Sequence, residues 1–405
     1  MNTSTPSPQP IPWFAIVAGL CASLVAIGLA RFAYTPLIPP LIDAHWFSAA
    51  DVVYLGAANL AGYLAGALLG RPLARHIPDR QALRLMMVLT SAAFLACAFP
   101  LSVSWFFAWR FLSGVAGGVI MVLVAACVLP HVPVARRGMA SGAIFLGAGL
   151  GIAASGTVIP LLLQFGLRET WIGLGVLSAV LTAVSWFGWP LGVPKPAAVQ
   201  DRKAEPPVGQ REAFALKVIY VQYALMAIGL VPMMVFLVDY VARGLGWGPH
   251  VGSVYWVLYG VGAIVGPMVY GLLVDRLGAG TTLRMVLLSQ AVATALFAWS
   301  DNAIVLGIAS VLIGTFPSSI PPLVLGRFHQ VLPNSPGAQH GAWTRATTIF
   351  ALFQALAGYA YSYVFASSGG DHQLLFLIGA VAIGLSFLID LGMAAVTNRS
   401  RHAHA

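Results

Sequence analysis

From residue 12 onward the chain alternates between long apolar runs and short polar breaks. Runs long enough to span a membrane fall at 12–41, 48–70, 82–101, 104–130, 138–163 and 169–190. A second set falls at 212–241, 249–273, 282–300, 302–326, 338–366 and 372–396. A helix needs about 20 apolar residues to cross a hydrocarbon layer about 30 Å thick. Within that layer each backbone polar group must find its partner inside the protein, which leaves helices as the simplest solution. The pattern predicts an all-α integral membrane fold of twelve transmembrane helices in two six-helix bundles. Between the sets, "VPKPAAVQDRKAEPPVGQRE" (193–212) holds four prolines and charges of both signs, the make-up of a flexible linker. The expected organisation is a tail over 1–11, a bundle over 12–190, a linker over 191–211, a bundle over 212–397 and a tail over 398–405.

Charge gives this pattern a direction. Only 8% of residues are charged, against about 25% in soluble domains. The net charge of +9 would suggest nucleic acid in a soluble protein, but the basic residues sit in the breaks between apolar runs. With the N-terminus inside, 17 of the 21 lysines and arginines fall on the inner side. Arg168 and Arg243 fall outside, and Arg31 and Arg110 lie within spans. That bias predicts both termini in the cytoplasm. The first ten residues lack a basic n-region, so no cleaved signal peptide is expected. Cys21, Cys97 and Cys127 lie inside apolar runs without metal-type spacing, and neither metal nor cofactor is expected.

The two halves echo one another. "GRPLARHIPDR" (70–80) and "GLLVDRLGAG" (271–280) follow the second span of each half, with Arg75 and Arg276 offset by 201. "VLPHVPVARRG" and "VLPNSPGAQHG" close the fourth span of each half, offset by 203. Duplicated six-helix halves are the layout of transporters whose substrate site lies near the midplane, between the repeats.

With these motifs in place the chain resembles the major facilitator superfamily over roughly residues 12–397. Gly271-x-x-x-Asp275-Arg276-x-Gly278 is similar to the superfamily's loop signature, whose carboxylate helps latch the cytoplasmic side. The first-half copy keeps Gly70 and Arg75 but has Ala74 in place of the carboxylate. Arg110-Phe-Leu-Ser-Gly114 with Gly117 and Gly118 resembles the fourth-span R-x-x-x-G motif, which implies a coupling role for Arg110. The glycine-rich fifth span is similar to the antiporter motif but lacks its Gly-Pro step. The opening "ARFAYTPLIPPL" resembles the YbfB-type branch of bacterial members. The resemblance implies a multi-pass protein of the bacterial inner membrane, working by alternating access and expected as a monomer.

Arg31 is the leading candidate for substrate contact. It lies about 27 Å along the first span at 1.5 Å per residue, too deep to snorkel easily. A charge at that depth costs about 2.5–3.5 kcal/mol unless it is matched. Tyr34, at i+3, is expected on the same face. Arg110 lies about six residues into its span, and neither arginine has an acidic partner on the first-half spans; Asp43 and Asp51 fall in an outer loop. Guanidinium groups recognise carboxylates through paired hydrogen bonds, so the pair favours an anion. Further candidates for substrate contact are Asn59 and Tyr63, Trp256 and Tyr259, and Gln354 beside Phe350, Phe353 and Tyr359. Packing is the competing reading for all of these.

Asp239 and Arg243, at i, i+4, are expected to pair, with Asp239 as proton carrier the alternative. Asp390 reads as interfacial. No histidine falls at a clear midplane position. The residues expected in coupling or gating are Arg110, Asp239, Asp275, Arg276 and Arg75.

No Walker-type motif occurs, which argues against an ATP-driven pump. No midplane nucleophile has a histidine beside it, so the protein is not expected to be an enzyme. The expected function is secondary active transport of a small, anionic organic solute, coupled to protons, with the lipid bilayer and no nucleic acid as surroundings. Two alternatives stay open: an exporter of neutral or cationic toxic compounds, and a transporter-like sensor that binds without translocating.

Overall fold

The computed structural model describes residues 12–133, 136–190, 209–333 and 335–402. Most of the linker and both extreme termini therefore lie outside the described residues. Among the described residues, twelve helices are long and apolar enough to span. In the first half these are α1 Trp13–Asp43, α2 Ala49–His76, α3 Asp79–Cys97, α4 Val103–His131, α5 Arg137–Leu163 and α6 Leu167–Ser185. The second half holds α7 Gln210–Gly244, α8 Gly248–Leu277, α9 Ala279–Trp299, α10 Ala303–Val331, α11 Pro336–Ser367 and α12 His372–His402. α7 starts at Gln210, just inside the expected linker, and α12 runs on through His402 rather than ending near 397.

Some of these helices begin at a side-chain cap. Ser48, Ser102 and Asn302 accept hydrogen bonds from backbone N–H groups in the first turns of α2, α4 and α10. Gly278, at φ 79°, makes the sharp exit from α8 into α9, a conformation that an L side chain resists.

Two internal seams repeat. Between α2 and α4, Gly62, Gly66 and Gly114 lie directly on the backbones of Phe111, Val115 and Asn59, with no room for a Cβ. Between α8 and α10, Gly262, Gly266 and Gly314 lie in the same way on Val311, Thr315 and Tyr259. Corresponding glycines are offset by 200, close to the offsets of the loop motifs. Small residues let helices approach in lipid, where packing rather than water drives association. The halves are therefore structural copies.

The copies meet at one end and part at the other. One apolar core joins both halves, running through Phe32, Leu37, Phe106, Met233, Phe236 and Trp256. Toward the arginine-rich end, where the 70–80 and 271–280 loops lie, this core gives way to two separate ones, each confined to its own half. The α5–α8 seam shows where the contact stops. Gly156 lies on Ser253 and Val257, Gly149 on Ala263 and Ile264, and Gly260 on Ala153. One heptad further toward the arginine-rich end, on the same stripe, Gly142 has nothing within 4 Å, and neither does Gly271 of α8. A cleft thus opens from the arginine-rich end and stops near the middle of the bundle.

Candidate functional site

α1 is not a continuous helix. Leu24–Leu29 forms a π-helical turn and Thr35–Leu37 a 3-10 turn, with Pro36, Pro39 and Pro40 withholding N–H donors beyond. The interruption is supported from α4. Arg110, buried at 3%, donates from Nη1 to the carbonyl of Ala30 at 2.7 Å. The residue that follows this anchored peptide is Arg31.

The Arg31 guanidinium is half-buried where the shared core begins. Its Nη2 lies 3.3 Å from the Met234 sulfur of α7, and its carbon lies 5.0 Å from the Tyr63 ring centre and 5.4 Å from that of Phe32. Tyr63 and Tyr259 are its electrostatic neighbours. A thioether is a weak acceptor, and ring faces offset only part of a desolvated cation. Among the described residues Arg31 has no carboxylate partner, and its Nε is buried without an acceptor. The Tyr259 hydroxyl is likewise buried without a partner. These are the groups a bound anion would satisfy.

The other sequence-derived candidates divide. Tyr63 of α2 lies beneath the Arg31 guanidinium. Trp256 is fully buried, stacks on Tyr259 at 4.8 Å and donates from Nε1 to Ser155 Oγ of the other half at 2.9 Å. It backs the site from behind. Gln354 is buried at 1% with its Nε2 unpaired. Asn59 instead donates to Ser113 Oγ at 2.9 Å and the Arg110 carbonyl at 3.3 Å, bonding α2 to α4.

Tyr34 does not share a face with Arg31. Its hydroxyl donates to the Val52 carbonyl at 2.7 Å, and its ring lies 4.2 Å from the Arg110 guanidinium. The broken helix between the two residues removes the regular i, i+3 geometry on which that expectation rested. Arg110 itself lies behind the cleft, beside a water-sized void lined by Thr90, Cys97, Ser113 and Trp171. Its Nε and the Trp171 Nε1 are both unpaired, so a water fits there.

At the sealed end, Asp239 and Arg243 pair as their spacing predicted, at 3.3 Å. His372, at the start of α12, adds a 2.7 Å contact to the same carboxylate. Asp390, expected near the inner interface, is packed inside the protein. It is buried at 1%, 3.1 Å from Arg327, 3.5 Å from Arg284 and 3.3 Å from Gln222 Nε2. Both arginines counted in the sequence as inner-side charges reach it from the ends of α9 and α10. Arg75, Asp275 and Arg276 are exposed at the parted end and make no ion pair among the described residues. Among the described residues no His, Cys, Asp or Glu cluster could hold a metal ion.

The family described as "Uncharacterised MFS-type transporter YbfB" matches residues 23–391, nearly the whole helical part of the chain. The chain belongs to that family. It is therefore a multi-pass membrane transporter of the major facilitator superfamily (MFS) and not an enzyme. Over 276 residues, 66% of this chain and 68% of its relative, it is 25% identical to a chloramphenicol resistance protein of Streptomyces lividans. Its fold resembles the crystal structure of a mutant of the nucleoside transporter NupG, with a TM-score of 0.74 and 14% identity, covering 94% of this chain and 99% of that one. A D-xylose-proton symporter gives 0.72 and 14%, covering 94% and 96%.

Sequence reasoning missed three features of this YbfB-type transporter. Met234 carries no charge to mark it as a partner of Arg31. His372 and Asp390 sit near helix ends, where hydropathy reads them as boundary residues, and only the packing of distant helices brings their partners in. The heptad-spaced Gly142, Gly149 and Gly156 were legible as a packing stripe, but not as the line along which the halves meet and part.

Proposed function

We propose that this YbfB-type transporter moves a small organic anion by secondary active, alternating-access transport across a bacterial inner membrane, with both termini cytoplasmic. The observation that carries the reading is Arg31: a half-buried guanidinium at the inner limit of the cleft, with a buried unpaired Nε and no carboxylate partner. Of the acidic residues within spans, Asp239 and Asp390 are each engaged with cations elsewhere, so nothing near Arg31 competes with an incoming anion. A cationic substrate would meet repulsion there.

The positive-inside rule puts the arginine-rich end in the cytoplasm. The cleft then faces inward, and Asp275, Arg276 and Arg75 belong to a latch that assembles when the inner end closes. Asp239, buried in the membrane beside His372, is the group assigned to proton coupling, and the transporter works as a monomer. The resistance-protein relative favours a second reading, export of a neutral compound, in which the Arg31 region binds a polar uncharged group.

A thermal-shift screen of purified protein against organic anions, cations and neutral compounds tests the first reading, because a ligand bound only by the native state raises its melting temperature. Anions are expected to dominate the hits, and the hits to exchange across proteoliposomes. Stabilisation by neutral compounds alone would replace the first reading with the second.

A further inference from the structure

We infer that the transported anion is a planar aromatic monocarboxylate, its carboxylate on Arg31 and its ring among the aromatic side chains that the two halves bring to the cleft. This rests on the anion reading of Arg31 and narrows it to a substrate class.

The two halves contribute different chemistry. Pseudo-symmetry places Tyr259 of the second half where the first has Asn59, and Ser310 where the first has Arg110, at the offset of 200. The deep cations, Arg31 and Arg110, thus belong to the first half alone. Because Arg110 is committed to the Ala30 carbonyl behind the cleft, a single guanidinium faces the substrate. One cation matches one carboxylate; a second carboxylate would be desolvated without a counter-charge.

The surroundings of that cation are aromatic. Tyr63 of α2 lies under the guanidinium, and the buried Tyr223 of α7 has Tyr63 among its electrostatic neighbours. Tyr223 in turn packs against Phe350 at 4.6 Å and Trp343 at 6.4 Å, both half-buried on α11. Deeper in, Trp256 and Tyr259 stack at 4.8 Å, and Tyr259, whose hydroxyl is buried without a partner, is an electrostatic neighbour of Arg31. That hydroxyl is the group available to donate to a carboxylate held on Arg31. A flat ring on Arg31 makes offset-stacked or edge contacts with Tyr63 of the first half, and the half-buried Phe350 and Trp343 are the aromatic faces the second half offers it. Such a ligand touches both halves, so its binding energy can draw the cleft closed around it, as alternating access requires.

Isothermal titration of the full-length protein in nanodiscs, with benzoate, cyclohexanecarboxylate, phthalate and benzyl alcohol, tests the inference. Benzoate is expected to bind about three- to ten-fold more tightly than cyclohexanecarboxylate, the range that aromatic pairing supplies. Phthalate, with its second charge, is expected to bind more weakly than benzoate. Tyr63→Leu should weaken benzoate more than cyclohexanecarboxylate, bringing the two monocarboxylates within about two-fold of each other. Equal binding of the two monocarboxylates by the unaltered protein, tighter binding of phthalate, or no saturable binding of benzoate would overturn the aromatic assignment. Binding of benzyl alcohol without any carboxylate would overturn the anion reading itself, and the two failures are thereby separate.

Discussion

Thr35 of α1 donates its hydroxyl hydrogen to the main-chain carbonyl of Met234 in α7, 2.6 Å away in the opposite bundle. The same methionine meets Arg31 through its sulfur. One residue of the second half therefore ties down both the interrupted stretch of α1 and the cation it carries. In the proposed alternating-access cycle, opening of the sealed end breaks both contacts. The site and the seal are thus the same few residues, and filling one is expected to affect the other.

Removing the Thr35 bond is expected to loosen the seal without unfolding the protein. Thr35→Val keeps the shape and deletes a buried hydrogen bond worth about 1 kcal/mol. The population open at that end should rise roughly five-fold by that estimate. Distances between spin labels at Ala44 and Asp371 report the change, with a longer component growing in the variant. An unchanged distribution would mean that apolar packing alone holds this end.

The glycine stripe on α5 and α8 gives a paired prediction. A side chain at Gly260 meets the Ala153 backbone at 2.5–2.6 Å, so Gly260→Leu should disfavour the state described here, at the 1–3 kcal/mol usual for overpacking. Gly142 is open in this state yet lies on the same stripe. Gly142→Leu is expected to obstruct closure of the arginine-rich end and hold the cleft open. Cysteine accessibility at the two ends should shift in opposite directions in the two variants. A shift in the same direction would show that the halves do not rock along this seam.

Asp390 holds Arg284 and Arg327 together at the arginine-rich end of the second half. Asp390→Asn leaves two like charges facing across a buried amide. Breaking a buried pair costs about 3–5 kcal/mol, and the arginines' partial exposure to solvent reduces this to roughly 1–3 kcal/mol here. A lower melting temperature with ligand affinity unchanged is expected. Full stability in the variant would return Asp390 to the interfacial role its position in the sequence suggests.

The fold was legible because bilayer physics acts on composition and length. Twelve apolar runs of spanning length leave little freedom, and the loop repeats disclosed the duplication. Of the candidate site, the sequence marked Arg31, as a charge in an apolar run, and nothing in the spacing of Tyr63 tied it to that arginine. Tyr34 misled because i, i+3 spacing assumes a regular helix, and α1 has π and 3-10 turns around it. Asn59 looked equally available but bonds to α4. Asp390 showed no partner in the sequence because its two arginines come from helices 63 and 106 residues away. The GYLAG and GAIVG segments, at 62–66 and 262–266, were the sequence sign of the paired seams.

The central claim is that Arg31 is present to meet an anionic group of the substrate, and equilibrium binding by Arg31 variants tests it most directly. Arg31→Lys keeps the charge but loses paired hydrogen bonding, so affinity for the best anion from the screen should fall by about 1–3 kcal/mol. Arg31→Ala should bind that anion no better than background while remaining monodisperse with near-normal yield, since an apolar replacement is tolerated in a bilayer. A purely structural arginine would reverse the order of damage, with yield and folding lost first. A monodisperse Arg31→Ala protein that binds the anion at full affinity would contradict the account.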